Sequence, residues 1–483
     1  MRWNILKITQ TFARSLLTGL IAATLPIVVS ANPTDVRVLV DVSGSMKKAD
    51  PKAVRGPATA LLATLLPDQS QGGIWLFGSD VRPLVPYGPV DARWDALGQP
   101  IEASIGSTDR FTHMESALRT GITAGGERTT GVCHVILITD GIVDVQGGKD
   151  ASSASRDRIV KTVLPDANDR GCSIHTIALS DKADLPLLRQ MAVQTDGLFT
   201  LLDQPGDLIP VMLDALELAL RSQQLPIRNR EIQIDSDIRQ VRLTRLGSDT
   251  PVSLRSNEMT IEANNRNGDI NYYSGTGYQT LIWSNPVPGR YTLTEQFGPT
   301  DRILIDSDVR LELADLPPTI SADQTLGLSA SISKNGELVD AEDRIYFVAF
   351  GSNTDPVRAR GERLTMQIDS PATGRSILTI QSFDGSYERQ VQRAFEVLQA
   401  RPAMEIGSES TQGVGQISST IVPQQSDSKA PMGDVSRLLP ETINQQLPEE
   451  MRDWPLWQLI ASALGAIALV ALLVGLILRP KHH

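Results

Sequence analysis

The chain has 483 residues, room for about three domains at roughly 150 residues each. Its 37 glycines and 29 prolines are an ordinary share and 41% of its residues are hydrophobic, which excludes collagen, wholesale disorder and a polytopic membrane protein. The formal charge is −11, from 56 acidic against 45 basic side chains, so a phosphate backbone would be repelled and no nucleic-acid partner is expected. Two cysteines and five histidines cannot build a Cys-rich zinc framework or a disulfide-dense scaffold, so any metal must be held mainly by oxygen.

Residues 1–31 carry Arg2, Lys7 and Arg14 ahead of an apolar stretch, lack Asp and Glu, and end in Val29, Ser30 and Ala31. That pattern predicts a signal peptide cleaved after Ala31, with a retained anchor helix as the alternative. From residue 36 to about 221, short apolar runs alternate with amphipathic segments, the pattern of βαβ units around a doubly wound, mostly parallel sheet. Strands are expected at 36–40, 73–77, 134–138 and 174–179, and helices at 51–66, 110–121, 152–164, 184–195 and 207–220. In such sheets a ligand site lies past the carboxyl ends of the central strands.

Those ends are polar. The first strand runs into Asp41-Val42-Ser43-Gly44-Ser45, a later one into Thr139-Asp140-Gly141, and between them Thr112 opens a helix carrying Ala117 and Leu118. Taken alone, the first motif also suits a strand-to-helix turn with Ser45 or Asp50 as cap. Together these residues resemble the von Willebrand factor A (integrin I-like) domain with its metal-ion-dependent adhesion site, over residues 35–222. The resemblance implies Ser43 and Ser45 as direct ligands, Thr112 binding directly or through water, and Asp41 and Asp140 supplying charge at least partly through water. Thr108 is an alternative to Thr112 in a shifted loop register. One coordination position is left for a carboxylate on a protein partner. The cation expected is Mg²⁺, with Mn²⁺ or Ca²⁺ as alternatives, because hard ions take oxygen ligands. The family fold also places Cys133 and Cys172 on neighbouring strands opposite the metal, as a disulfide in an oxidising compartment or as two buried thiols.

After Pro226 the rhythm changes to short alternating strands. Two antiparallel, immunoglobulin-like β-sandwich modules are expected, at 226–315 and 316–400, with hairpin signals at Asn335-Gly336 and Asp384-Gly385. Residues 401–453, rich in Ser, Gln, Pro and Gly, read as a flexible linker spanning about 40 Å. Residues 455–478 contain an apolar run long enough to cross a bilayer, with Trp454 and Trp457 at its start and a basic tail, 479–483, after it. The expectation is a single-pass protein of a bacterial inner membrane, its ectodomain in the periplasm and its C-terminus cytoplasmic.

The expected function is divalent-cation-dependent protein binding rather than catalysis, with the oligomeric state open. A structural scaffold in which the metal only steadies the loops is the alternative. A hydrolase is third: Ser45-Met46-Lys47-Lys48 fits an S-x-x-K pattern without the K-T-G that should accompany it, and His113 is the one histidine placed to serve as a base.

Overall fold

Three strands of the N-terminal half are buried almost throughout: β1 (Asp35–Asp41), β4 (Cys133–Thr139) and β5 (Cys172–Ala178). Strands covered on both faces are mostly apolar on both, and the polar side chains these bury, Arg37 and His175 among them, are hydrogen-bonded. In the computed structural model, which describes residues 34–399 apart from 69, 92, 95–96, 127–132, 249, 263–267, 341–343 and 352–356, the three strands form the centre of a six-stranded sheet. Its order is β3-β2-β1-β4-β5-β6, completed by β2 (Gln71–Phe77), β3 (Val81–Pro89) and β6 (Phe199–Leu201), with only β3 antiparallel. β3 escaped the sequence reading because prolines at 83, 86 and 89 argue against a strand; they are tolerated at the sheet edge, where a missing N–H breaks no ladder.

Side chains alternate across the sheet. Val36, Val38, Val40, Ile136 and Ile138 pack with α2 (Arg55–Leu65) and α8 (Leu208–Leu220) on one face. Leu39, Val135 and Leu137 pack on the other with α4 (Met114–Thr123) and α7 (Leu185–Gln194). Between the long helices lie α1 (Met46–Ala49) and α3 (Gly98–Ser104). The expected helix at 152–164 is longer: α5 (Lys149–Arg158) passes through a π turn (Ile159–Val163) into α6 (Leu164–Asp169). The expected helix at 51–66 starts later, at Arg55, where the Asp50 carboxylate accepts the N–H groups of Val54 at 2.8 Å and Arg55 at 3.1 Å. Cys133 and Cys172 face each other across β4 and β5 and are joined as a disulfide, with their Cα atoms 4.3 Å apart.

The second half is antiparallel apart from one short parallel pairing. Its two apolar cores, one around Val241, Leu281, Trp283 and Tyr291 and one around Leu328, Tyr346, Leu378 and Phe395, are bridged rather than strung as beads. The two-residue strand Gln223–Gln224 pairs with Arg302–Ser307 on one side and Glu388–Leu398 on the other, so one ten-stranded sheet runs through both. Two four-stranded sheets oppose it. Thr325–Lys334 shows the half-buried alternation that made this region legible as strands.

α8 is the seam between the halves. Asp214 accepts Arg302 at 3.2 Å and is also paired with Arg375, while Glu217 accepts Arg302 at 2.6 Å and Gln224 at 2.6 Å. All three partners, Arg302, Arg375 and Gln224, come from the β half or its first strand.

The predicted signal peptide, linker, membrane helix and tail lie outside the described residues. Among those described, no helix is long and apolar enough to cross a membrane.

Candidate metal centre

The sheet order reverses between β1 and β4, so the loops that follow these strands part and leave a crevice. A cleft of about 500 Å³ opens there, lined by Ser43, Ser45, Thr112, Asp140 and Gly141 among others. Ser43 Oγ and Ser45 Oγ lie 3.0 Å apart, and Ser45 Oγ donates to Asp140 Oδ1 at 2.8 Å. Asp41 sits beneath them, accepting Ser43 N–H at 2.8 Å and the Thr139 hydroxyl at 2.5 Å. Gly141 closes the set: a Cβ there would lie 3.4 Å from Thr112 Oγ1 and 3.5 Å from Asp41 Oδ2, so its bare Cα leaves a cradle between those oxygens.

Thr112 does not open the helix as the sequence suggested. α4 starts at Met114, and Thr112 stands two residues earlier in a backbone bridge with Asp144, its N–H donating to Asp144 O at 2.8 Å. That bridge turns the buried Thr112 hydroxyl into the cleft. Thr108 is outside the cleft lining and its hydroxyl bonds Asp109 instead, at 3.2 Å.

Burial raises the proton affinity of both acids at the site. Asp41 is pushed up to about 6, first by burial and further by Asp140, with the bonds from Thr139 and Ser43 pulling part of the way back. Asp140 is also raised, by burial above all, against the Ser45 hydrogen bond and the nearby charge of Arg55.

Sequence reading missed Arg55. It is wholly buried below the cleft, its guanidinium donating to the Asp41 carbonyl at 3.2 Å, to Gly106 O at 3.1 Å and to Ser107 Oγ at 2.8 Å, with Asp50 3.2 Å from its Nε. It ties the first loop to the second. Its only signal was an arginine opening an otherwise apolar helix. Gly78 was missed too: a Cβ there would stand 2.3 Å from Asp109 Cβ, so only glycine lets the two loops approach.

The donor set is hydroxyl and carboxylate oxygen, from Ser43, Ser45 and Thr112 and from Asp41 and Asp140. This chemistry suits a hard divalent cation. Among the described residues no group of three or more His, Cys, Asp or Glu forms a metal cluster, so hydroxyls are indispensable to any such site. The hydrolase features do not assemble: Ser45 bonds Ser43 and Asp140, while His113 Nε2 is buried without a hydrogen-bond partner among the described residues.

The family model for the von Willebrand factor type A domain matches residues 35–208. This segment is a von Willebrand factor type A domain. Among solved structures, the chain is similar to a protein described as von Willebrand factor type A from Catenulispora acidiphila, at 11% identity over 77% of this chain and 67% of that one, TM-score 0.34. It is also similar to proximal thread matrix protein 1 of the mussel byssus with a zinc-occupied MIDAS motif, at 16% identity over 41% of this chain and 50% of that one, TM-score 0.31. A third is manganese-loaded TRAP protein of Plasmodium vivax, at 17% identity over 38% of this chain and 73% of that one, TM-score 0.30. No curated protein matches the chain. The β half lies beyond the A-domain match, so what the whole chain does rests on its own residues.

Proposed function

We propose that the chain is a membrane-anchored envelope protein whose A domain captures a protein partner through a divalent cation. The observation that carries this reading is the convergence of Ser43, Ser45 and Asp140 within hydrogen-bond distance above the buried Asp41, with the Thr112 hydroxyl at the same cleft. Ser43 and Ser45 would hold the ion directly, Thr112 directly or through water, and Asp41 and Asp140 would balance its charge. When bound, the cation offers one open position that a carboxylate of the partner completes. The rim then reads the rest of the partner: Lys48, Arg110 and Lys182 alternate with Asp109, Asp144 and Asp181 and call for a partner of matching mixed charge, and Ile142, 58% exposed beside the site, offers an apolar contact.

The Ser45 hydroxyl is shared between Ser43 and Asp140 in an oxygen cluster of the kind that holds a cation, which favours binding over catalysis. The apolar segment at 455–478 and the leader at 1–31 support a bacterial inner-membrane protein with the A domain on the periplasmic side. Mg²⁺ is the ion proposed, on ligand chemistry alone.

The test is capture of partners from native envelope extract by the full chain in Mg²⁺ and in EDTA, with Asp140→Ala alongside. A partner lost both in EDTA and with the folded variant is the expected outcome. One retained under all conditions refutes metal-bridged recognition and moves the contact to the β half.

A further inference from the structure

At the ends of β4 and β5 farthest from the metal loops lies a second cavity, of about 380 Å³. His134 and His175 wall it from the sheet, Arg221 from the end of α8, and Asp315, Arg393 and Phe395 from the β half. Nothing in the proposed adhesive contact uses it.

The histidines present a donor. Leu198 N–H donates to His175 Nδ1 at 3.1 Å, so the hydrogen-bond network puts that ring's proton on Nε2. His175 Nε2 donates in turn to His134 Nδ1 at 3.0 Å, which leaves the His134 proton on Nε2. Burial first, and Arg221 second, bring His134 down to about 4, so the ring is neutral and this tautomer holds at ordinary pH. Among the described residues the His134 Nε2–H has no acceptor.

Arg393 is the second donor and lacks a counter-ion. It is largely buried, its one hydrogen bond among the described residues goes to Gln392 O at 2.9 Å, and no carboxylate there lies within ion-pair distance. The two acids whose charge reaches it are engaged elsewhere, Glu217 with Arg302 and Gln224, and Asp315 with Arg221. Burial is the main cause that brings Arg393 down to about 10, and Arg221 and Arg310 add repulsion. Asp196, the remaining acid on the wall, is exposed. A partly buried guanidinium with no carboxylate opposite it is poorly compensated, and an anion in the cavity would supply the missing counter-charge. Apart from the Ser173 hydroxyl the other walls are apolar, Leu218, Leu316, Pro317 and Phe395 among them. A few convergent donors in an apolar cavity of this size are the form of a small-molecule site.

We infer that this cavity binds a small organic carboxylate, its oxygens held by Arg393 and the His134 Nε2–H and its apolar body against Leu316 and Phe395. The class is set by charge and shape together: the donors call for an oxyanion, and the walls call for a hydrocarbon body that inorganic phosphate lacks.

The test uses the full chain in EDTA, so that no carboxylate can bind through a metal. Benzoate, its neutral analogue benzamide and inorganic phosphate are titrated by calorimetry and by thermal unfolding. Benzoate is expected to bind saturably and raise the melting temperature, and benzamide is not. Arg393→Gln should weaken benzoate by roughly tenfold to a hundredfold, as loss of a charged hydrogen bond does, and His134→Phe by less. Without ligand, Arg393→Gln should melt no lower than the parent, since it removes a partly buried charge that has no counter-ion. Should Arg393→Gln fail to fold, His134→Phe carries the comparison. No saturable benzoate binding, equal binding of benzamide, or unchanged affinity in the folded variants overturns the inference. Binding of phosphate without benzoate overturns the class of ligand assigned.

Discussion

Thr112 decides between two registers of one loop. Its hydroxyl lines the cleft while Thr108 turns to Asp109, so Thr112→Val, nearly isosteric, should weaken Mg²⁺ binding measured by calorimetry by about 1–2 kcal/mol, and Thr108→Val should leave it unchanged. The motif around Asp41 was legible because its residues are contiguous and directly follow an apolar strand. Arg55 and Gly78 were not, because what they do depends on loops distant in sequence: Arg55 meets Ser107 and Gly78 meets Asp109 only once the sheet has formed. A second residue-scale expectation concerns Glu396. Burial pushes it from its ordinary 4.5 up to about 7, against the pull of Arg189 and Arg375. Between those values the folded chain holds a proton that the unfolded chain has released. The contribution to stability is therefore full below about 4.5 and is lost as the pH rises toward 7. Glu396→Gln should flatten this part of the profile, read as urea midpoints from pH 4.5 to 8, and should be the more stable form at the alkaline end.

Among the elements, α8 carries the most consequence. Its composition announced a helix, and the apolar stripe against the sheet was readable from spacing. Asp214 and Glu217 within it were not explicable from sequence, since a buried acid makes sense only beside its cation, and Arg302 and Arg375 lie far along the chain. Removing Arg302 leaves both acids partly unpaired in a dry seam. Arg302→Met should cost about 3–5 kcal/mol by denaturant unfolding, while replacing an exposed pair such as Arg93 with Asp91 should cost almost nothing. The strands of the β half were legible as a kind, from alternation, but not in their partners. Gln223–Gln224 is only two residues long and polar, yet it joins two cores into one sheet. Its side chains explain its burial: Gln223 exchanges hydrogen bonds with the Leu311 backbone at 2.8 and 3.1 Å, and Gln390 donates to Gln224 at 3.0 Å. No periodicity can signal a strand that short.

At the scale of the molecule, this seam and this shared sheet make the two halves mechanically and thermodynamically interdependent. Heating residues 34–399 should give one calorimetric transition, with equal calorimetric and van't Hoff enthalpies, instead of separate peaks for an A domain and a β stalk. Two well-resolved transitions would show that the ion pairs of α8 do not couple the halves. The edge of the A-domain sheet has a different consequence. β3 is nine residues long and three of them are prolines, with Arg82, Pro83 and Pro86 exposed. The residues that hid this strand from sequence reading also make it a poor template, because an incoming chain finds gaps where a continuous row of N–H donors would be needed. Were two copies brought together at that border, neither could extend the other's sheet through it, so the outermost strand acts as a full stop to the sheet and not as an invitation.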